Sequence, residues 1–270
     1  MGRVGYGLDV PAQDLFTTDA GEGLPVVLLH GLTATHRYVV MGSKALERAG
    51  HRVIAYDARG HGASAPGHCF AYSELAADLL AVLDARDLER AVLAGASMGA
   101  HTALRVALDA PDRVAGLVVV TPAAHPDAPP GLERWDRLAT GLRTGGVEGF
   151  VAAYGIEAVP EQWRATTEKV LRQRLSQHEH PDAVADALEQ VPRSQPFALD
   201  ELAGVACPTV VVADRDEADP GHPLWVGEAY AKLIPGASLV VEPEGASPLA
   251  WQGGKLSRVI AELATRAWSA

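Results

Sequence analysis

The chain has 270 residues, 48% of them hydrophobic and 21% charged, which suits one large α/β domain or a core with an insertion and excludes extended disorder. Its net charge of −11 argues against a nucleic-acid or anionic-membrane surface, since both need clustered Lys and Arg. A neutral or weakly charged small molecule is the easier partner. The two cysteines, Cys69 and Cys207, lie far apart without Cys-x-x-Cys spacing, so neither a disulfide framework nor a thiolate metal site is expected.

In chain order, residues 1–14 lack the apolar run of a targeting segment, and no stretch of about 18 apolar residues occurs anywhere. The expectation is a soluble, cytoplasmic protein. Short β-branched runs at 25–29, 52–56, 91–94, 115–120, 209–213 and 238–241 predict buried strands of a parallel sheet. Between them, 73–85, 98–109, 226–233 and 255–268 carry the apolar spacing of crossover helices, so a doubly covered α/β sheet is expected. The rhythm breaks after Thr121. Residues 123–197 contain no comparable strand run but hold helix-like stretches at 149–154 and 161–177. Proline-rich segments at 122–131 and 192–196 read as linkers. The organisation predicted is therefore a core of residues 1–122 and 198–270 with a helical cap at 123–197.

The segment Ala94-Gly95-Ala96-Ser97-Met98-Gly99-Ala100 follows a strand run and opens a helix, and it carries Gly-x-Ser-x-Gly. The glycines let the chain turn sharply, so that a strained Ser presents its hydroxyl above the sheet at a helix N-terminus. Upstream, Leu29-His30-Gly31-Leu32 ends another strand in a flexible turn. The Leu32 and Met98 amides are the candidate pair of oxyanion donors, with His30 as a hydrogen-bonded strut. The Gly-rich turn 57–64 is expected to be a loop braced by Asp57 and Arg59.

In this order and spacing the segments resemble the α/β-hydrolase superfamily, in its capped esterase, lactonase and lipase-like branch, over nearly the whole chain outside 123–197. The resemblance implies an α/β-hydrolase fold and a triad in the chain order Ser, Asp, His, with Ser97 as nucleophile. It makes Asp216 the acid, with Asp214 and Asp219 as alternatives in the same loop. It also implies a histidine after the last strand, where this sequence has Gly245-Ala246-Ser247. Ala246 thus occupies the expected His position, and weak hydrolysis is the expectation, because a serine hydroxyl without a base attacks an ester poorly.

His222, in the acid loop, is the possible alternative base. His101 and His61 are weaker options, and His178 with His180 has metal-like spacing that suits a polar helix end better. Candidate pocket residues are His30, Tyr38, Trp135, Phe150, Tyr154, Trp163 and Trp251, which favour a small apolar or aromatic ester-like substrate. No phosphate loop, nicotinamide or flavin fingerprint appears, so no cofactor or metal is expected. A monomer or homodimer is expected. The rival functions are a catalytically silent binding protein and a non-hydrolytic lyase or cyclase of the same fold.

Overall fold

A computed structural model describes residues 14–215, 219 and 221–269. In chain order its strands are β1 (Thr17–Ala20), β2 (Leu24–Leu29), β3 (His51–Tyr56), β4 (Ala91–Ala96), β5 (Val114–Val120), β6 (Thr209–Ala213) and β7 (Ser238–Val241). Its α-helices are α1 (Ala45–Arg48), α2 (Tyr72–Ala85), α3 (Met98–Asp109), α4 (Leu132–Tyr154), α5 (Glu161–Leu175), α6 (Pro181–Gln190), α7 (Leu224–Leu233) and α8 (Gly253–Ser269). The strands form one sheet in the order β1-β3-β2-β4-β5-β6-β7, parallel throughout except for antiparallel β1 at the edge. The α/β-hydrolase fold expected from the resemblance is the fold observed.

Strand alternation divides the core into two layers. Val27, Leu29, Ile54, Leu93, Leu117 and Val119 point to the face covered by α2, α3 and α7. Their neighbours Val26, Leu28, Val53, Val92, Val118 and Val120 point to the opposite face. There α8 lays down Leu256, Ile260, Leu263, Ala264 and Ala267, the spacing of one helical stripe. Each such aliphatic side chain contributes about 1.5–3 kcal/mol by leaving water, which is why both sides of the sheet read as apolar runs.

All six strand runs read from the sequence are strands. The edge strand β1 escaped that reading because Thr17-Thr18-Asp19-Ala20 has no apolar alternation; its backbone pairing to β3 defines it. The helices α4, α5 and α6 lie between β5 and β6 and share a hydrophobic cluster of their own, including Leu138, Leu142, Phe150, Leu171 and Leu188. Most of α4 was not legible because it is glycine-rich: the helix breaks at Gly146, with φ 58°, and its two halves close upon each other at Gly141 and Gly149. Among the described residues no helix is long and apolar enough to cross a membrane.

Candidate active site

Ser97 stands between β4 and α3 with φ 49° and ψ −111°, a conformation that costs a non-glycine residue on the order of 1–3 kcal/mol. The surrounding backbone leaves no room for relaxation. A Cβ at Gly95 would lie 2.2 Å from the Gly99 carbonyl oxygen, and one at Gly99 would lie 2.3 Å from that of Leu29. The Ser97 amide donates to Val120 O at 2.9 Å, which fixes the elbow to the next strand. Met98 opens α3, so its amide is among those without an intrahelical acceptor; Met98, Leu32 and Ser97 line one cavity.

The group that reaches the nucleophile is His222. Its Nε2 lies 2.9 Å from Ser97 Oγ, and its Nδ1 lies 2.9 Å from Asp219 Oδ2. An ionised carboxylate only accepts, so Nδ1 carries the proton and Nε2 is the free acceptor for the serine hydroxyl. Asp219 and His222 belong to one short turn, in which the His222 amide donates to Asp219 O at 3.1 Å. Asp216, the expected acid, lies outside the described residues. Of the two alternatives in the same loop, Asp219 is the carboxylate on the imidazole. The missing base is corrected, since an imidazole occupies the serine's hydrogen-bonding position although Ala246 leaves the later loop without one. Ala246 sits in a turn after β7, its amide donating to Pro243 O at 3.0 Å.

The pair is electrostatically matched. Burial pulls the His222 pKa down, but the Asp219 charge and hydrogen bond, helped by Asp214, outweigh it and leave the imidazole more basic than usual. Burial pushes the Asp219 carboxyl up, but the charge and hydrogen bond of His222, the Arg174 guanidinium and the Gly221 amide hold it below its ordinary value. The result is an acid held ionised beside a base whose pKa is raised above its ordinary value.

The histidines His101, His30, His61 and His178 are held by backbone hydrogen bonds. His101 Nε2 accepts from the Ala123 and Ala124 amides, both at 3.2 Å, while its Nδ1 is 3.1 Å from the Tyr72 hydroxyl. Burial pushes its pKa down to about 3, so it stays neutral and ties the start of the inserted segment to α3. Tyr230 Oη adds a bond to Ala124 O at 2.7 Å. His30 Nε2 accepts from the Ala58 amide at 2.9 Å, and its Nδ1 donates to Gly31 O at 2.8 Å. His61 Nε2 accepts from the Thr33 amide at 3.4 Å. His178 Nδ1 accepts from the Gly62 amide at 2.8 Å and its Nε2 donates to Thr33 O at 3.0 Å, linking the inserted helices to two core loops. The turn at 57–64 is braced by Asp57, which accepts from His36 N at 2.6 Å and Ala63 N at 3.2 Å. Buried Arg59 grips Asp78 through Nε at 2.7 Å and Nη2 at 2.8 Å.

A cavity of about 610 Å³ opens at Ser97 between the sheet end and the inserted segment. Of the candidate pocket residues, only Trp135 lines it. Phe150 and Tyr154 pack within the inserted helices, because those helices need a core of their own. Trp163 meets Trp251 edge to face at 5.7 Å, Tyr38 Oη accepts from Gln177 at 3.2 Å, and His30 lies under the Gly31 turn. Sequence reading missed most of the actual lining, which includes Pro126, Pro129, Arg134, Val191, Phe197 and Leu199. Its signal was the proline-rich linkers themselves, which form walls of the cavity.

A family model described as alpha/beta hydrolase fold matches residues 25–155. The chain is 33% identical over 201 residues to a Variovorax paradoxus protein that carries the name carbamate hydrolase RutD, covering 73% of this chain and 75% of the relative. It is 34% identical over 241 residues to 2-hydroxy-6-oxononadienedioate/2-hydroxy-6-oxononatrienedioate hydrolase 2 of Pseudomonas putida, covering 84% and 82%. Among solved structures, a thermophilic esterase from Thermogutta terrifontis superposes with a TM-score of 0.77 at 30% identity, covering 94% of this chain and 93% of that one. With the elbow, the sheet order and these relatives in agreement, the chain belongs to the α/β-hydrolase fold family.

Proposed function

We propose that this protein is a serine hydrolase that cleaves carboxylic esters or lactones through an acyl-enzyme on Ser97. The observation that carries the reading is the unbroken chain Asp219–His222–Ser97, with both contacts at 2.9 Å. Neutral His222 takes the Ser97 proton through Nε2 as the hydroxyl oxygen attacks the acyl carbon. Asp219 holds the ring in the productive tautomer and stabilises the imidazolium. The Met98 and Leu32 amides receive the developing oxyanion, and the imidazolium then protonates the leaving oxygen. Water, deprotonated by the same imidazole, releases the acid and restores Ser97.

The helices α4–α6 act as a cap, and the largely apolar walls of the cavity suit the hydrocarbon part of an ester. Full rather than impaired activity follows, since the base is supplied from the β6–α7 loop. The relatives' names span a carbamate hydrolase, a 2-hydroxy-6-oxononadienedioate hydrolase and an esterase, all of them hydrolases. The test is labelling by a fluorophosphonate, with turnover of short and aromatic p-nitrophenyl esters measured alongside. Rapid labelling lost in Ser97→Ala supports the reading. An unlabelled, inactive wild-type protein overturns it in favour of a silent binding protein or a non-hydrolytic enzyme.

A further inference from the structure

In a chain of net charge −11, none of the described residues that line the cavity is a carboxylate, yet two of them are arginines. Arg193 is already neutralised, its guanidinium donating to Asp136 at 2.8 Å and to Glu189 O at 2.7 Å. Arg134 is different. Its guanidinium carbon lies 5.4 Å from the Trp135 ring centroid and 5.2 Å from that of Tyr154, and among the described residues no carboxylate pairs with it. Aromatic faces hold a guanidinium in place without cancelling its charge.

Its position in the fold sharpens the imbalance. Arg134 is in the first turn of α4, where the helix already presents positive partial charge, so a cation there gains nothing from the dipole. Asp219 does not need it either: that carboxylate is met by His222 and by the field of Arg174. The Arg134 charge does reach the catalytic imidazole, whose basicity it lowers. A half-buried cation that shares a cavity with the nucleophile and has no carboxylate partner among the described residues can complete an ion pair with a ligand, and a guanidinium's planar fork matches a carboxylate.

We infer that Arg134 is an anion-recognition residue and that the preferred substrates are esters carrying a second, ionised carboxylate within reach of the α4 N-terminus. This rests on the proposed serine-hydrolase reading for the word substrate, but the binding of the carboxylate does not. The remaining cavity walls are largely apolar, so the carboxylate supplies orientation and the hydrocarbon supplies contact area.

The experiment compares kcat/KM for mono-4-nitrophenyl adipate with 4-nitrophenyl hexanoate, and for 3-carboxyphenyl hexanoate with phenyl hexanoate, in the wild type, Arg134→Gln and Arg134→Lys. Using ratios within one protein cancels any change in His222 basicity. In the wild type at least one pair should favour the carboxylate by about tenfold or more, less so as salt rises. The ratio should fall to about one in R134Q and recover in part in R134K. Adipate binding to Ser97→Ala is measured by calorimetry, with and without Arg134→Gln. Adipate binding that needs Arg134 while no ester turns over sustains this inference and removes the hydrolase reading. Ester turnover with no carboxylate preference, or an equal loss on both members of each pair in a folded R134Q, overturns the inference and leaves the hydrolase reading standing.

Discussion

His222 Nε2 and Ser97 Oγ meet at 2.9 Å across 125 positions of sequence. Because Asp219 is on the same turn as His222, acid and base arrive at the nucleophile from one loop between β6 and α7. The chain order Ser, Asp, His is retained, although the segment after β7 contributes no imidazole. In the proposed mechanism, catalysis therefore depends on the conformation of a single short loop.

The pH profile follows from the raised basicity of His222. The base works when neutral, so kcat/KM should rise with pH, and because Asp219 and Asp214 hold the folded pKa above 6.5 against burial, half-maximal activity should lie above pH 6.5. A pH series with a p-nitrophenyl ester reads this directly. An acid limb centred below 6.5 would show that the charge of Asp219 does not reach the ring.

Asp219→Asn should lower kcat by about 10⁴, because an uncharged amide does not stabilise the imidazolium and its NH2 can donate to Nδ1, favouring the unproductive tautomer. Burial would then dominate the imidazole's environment, so the residual activity's acid limb should move to lower pH. A variant with near-normal kcat would transfer the acid's role to another residue of the loop.

Asp214 is buried beneath the site, its Oδ1 accepting from the Ala250 amide at 3.1 Å. Burial, then the charges of Glu242 and Asp219, push its pKa up to about 7. The folded state thus holds a proton that the unfolded chain releases near 3.8, so this group's contribution is fully present below pH 3.8 and is lost as pH rises through about 7. Asp214→Asn should raise Tm more at pH 8.5 than at pH 5, because the loss accumulates from pH 3.8 up to about 7, and each ~1 kcal/mol gained is worth about 2–4 °C. Thermal melts at the two pH values check this; a lower Tm at pH 8.5 would count against it.

Gly99→Ala should abolish soluble protein or lower Tm by more than about 10 °C, since its Cβ would lie 2.3 Å from Leu29 O and 2.8 Å from His30 O, both backbone atoms. Normal expression and melting would mean the elbow is looser than its geometry.

The sheet was legible because each central strand is buried on both faces and so reads as an unbroken apolar run: in β5, Leu117, Val118, Val119 and Val120 are all fully buried. The elbow was legible because Gly95 and Gly99 have no substitute there. The base was legible only as an alternative: reading position by position from the last strand lands on Ala246, and His222 entered because it shares the acid loop, whereas what matters is which imidazole the fold carries to Ser97. One signal stood in the sequence: His222 is the last histidine, and Asp219-Pro220-Gly221-His222 is a turn sequence that sets a carboxylate and an imidazole three residues apart. The aromatic residues of 123–197 misled for a physical reason: an inserted helical layer must bury its own large side chains, so Phe150 and Tyr154 went to its core and prolines lined the cavity.

The most direct test of the relocated base is turnover of a p-nitrophenyl ester by the wild type, His222→Ala and Ala246→His, each checked for folding by its melt. The account predicts an active wild type, a fall of about 10⁴-fold or more in H222A, and less than about a tenfold change in A246H. A nearly inactive wild type that H222A leaves unchanged and A246H raises by about a hundredfold would contradict it.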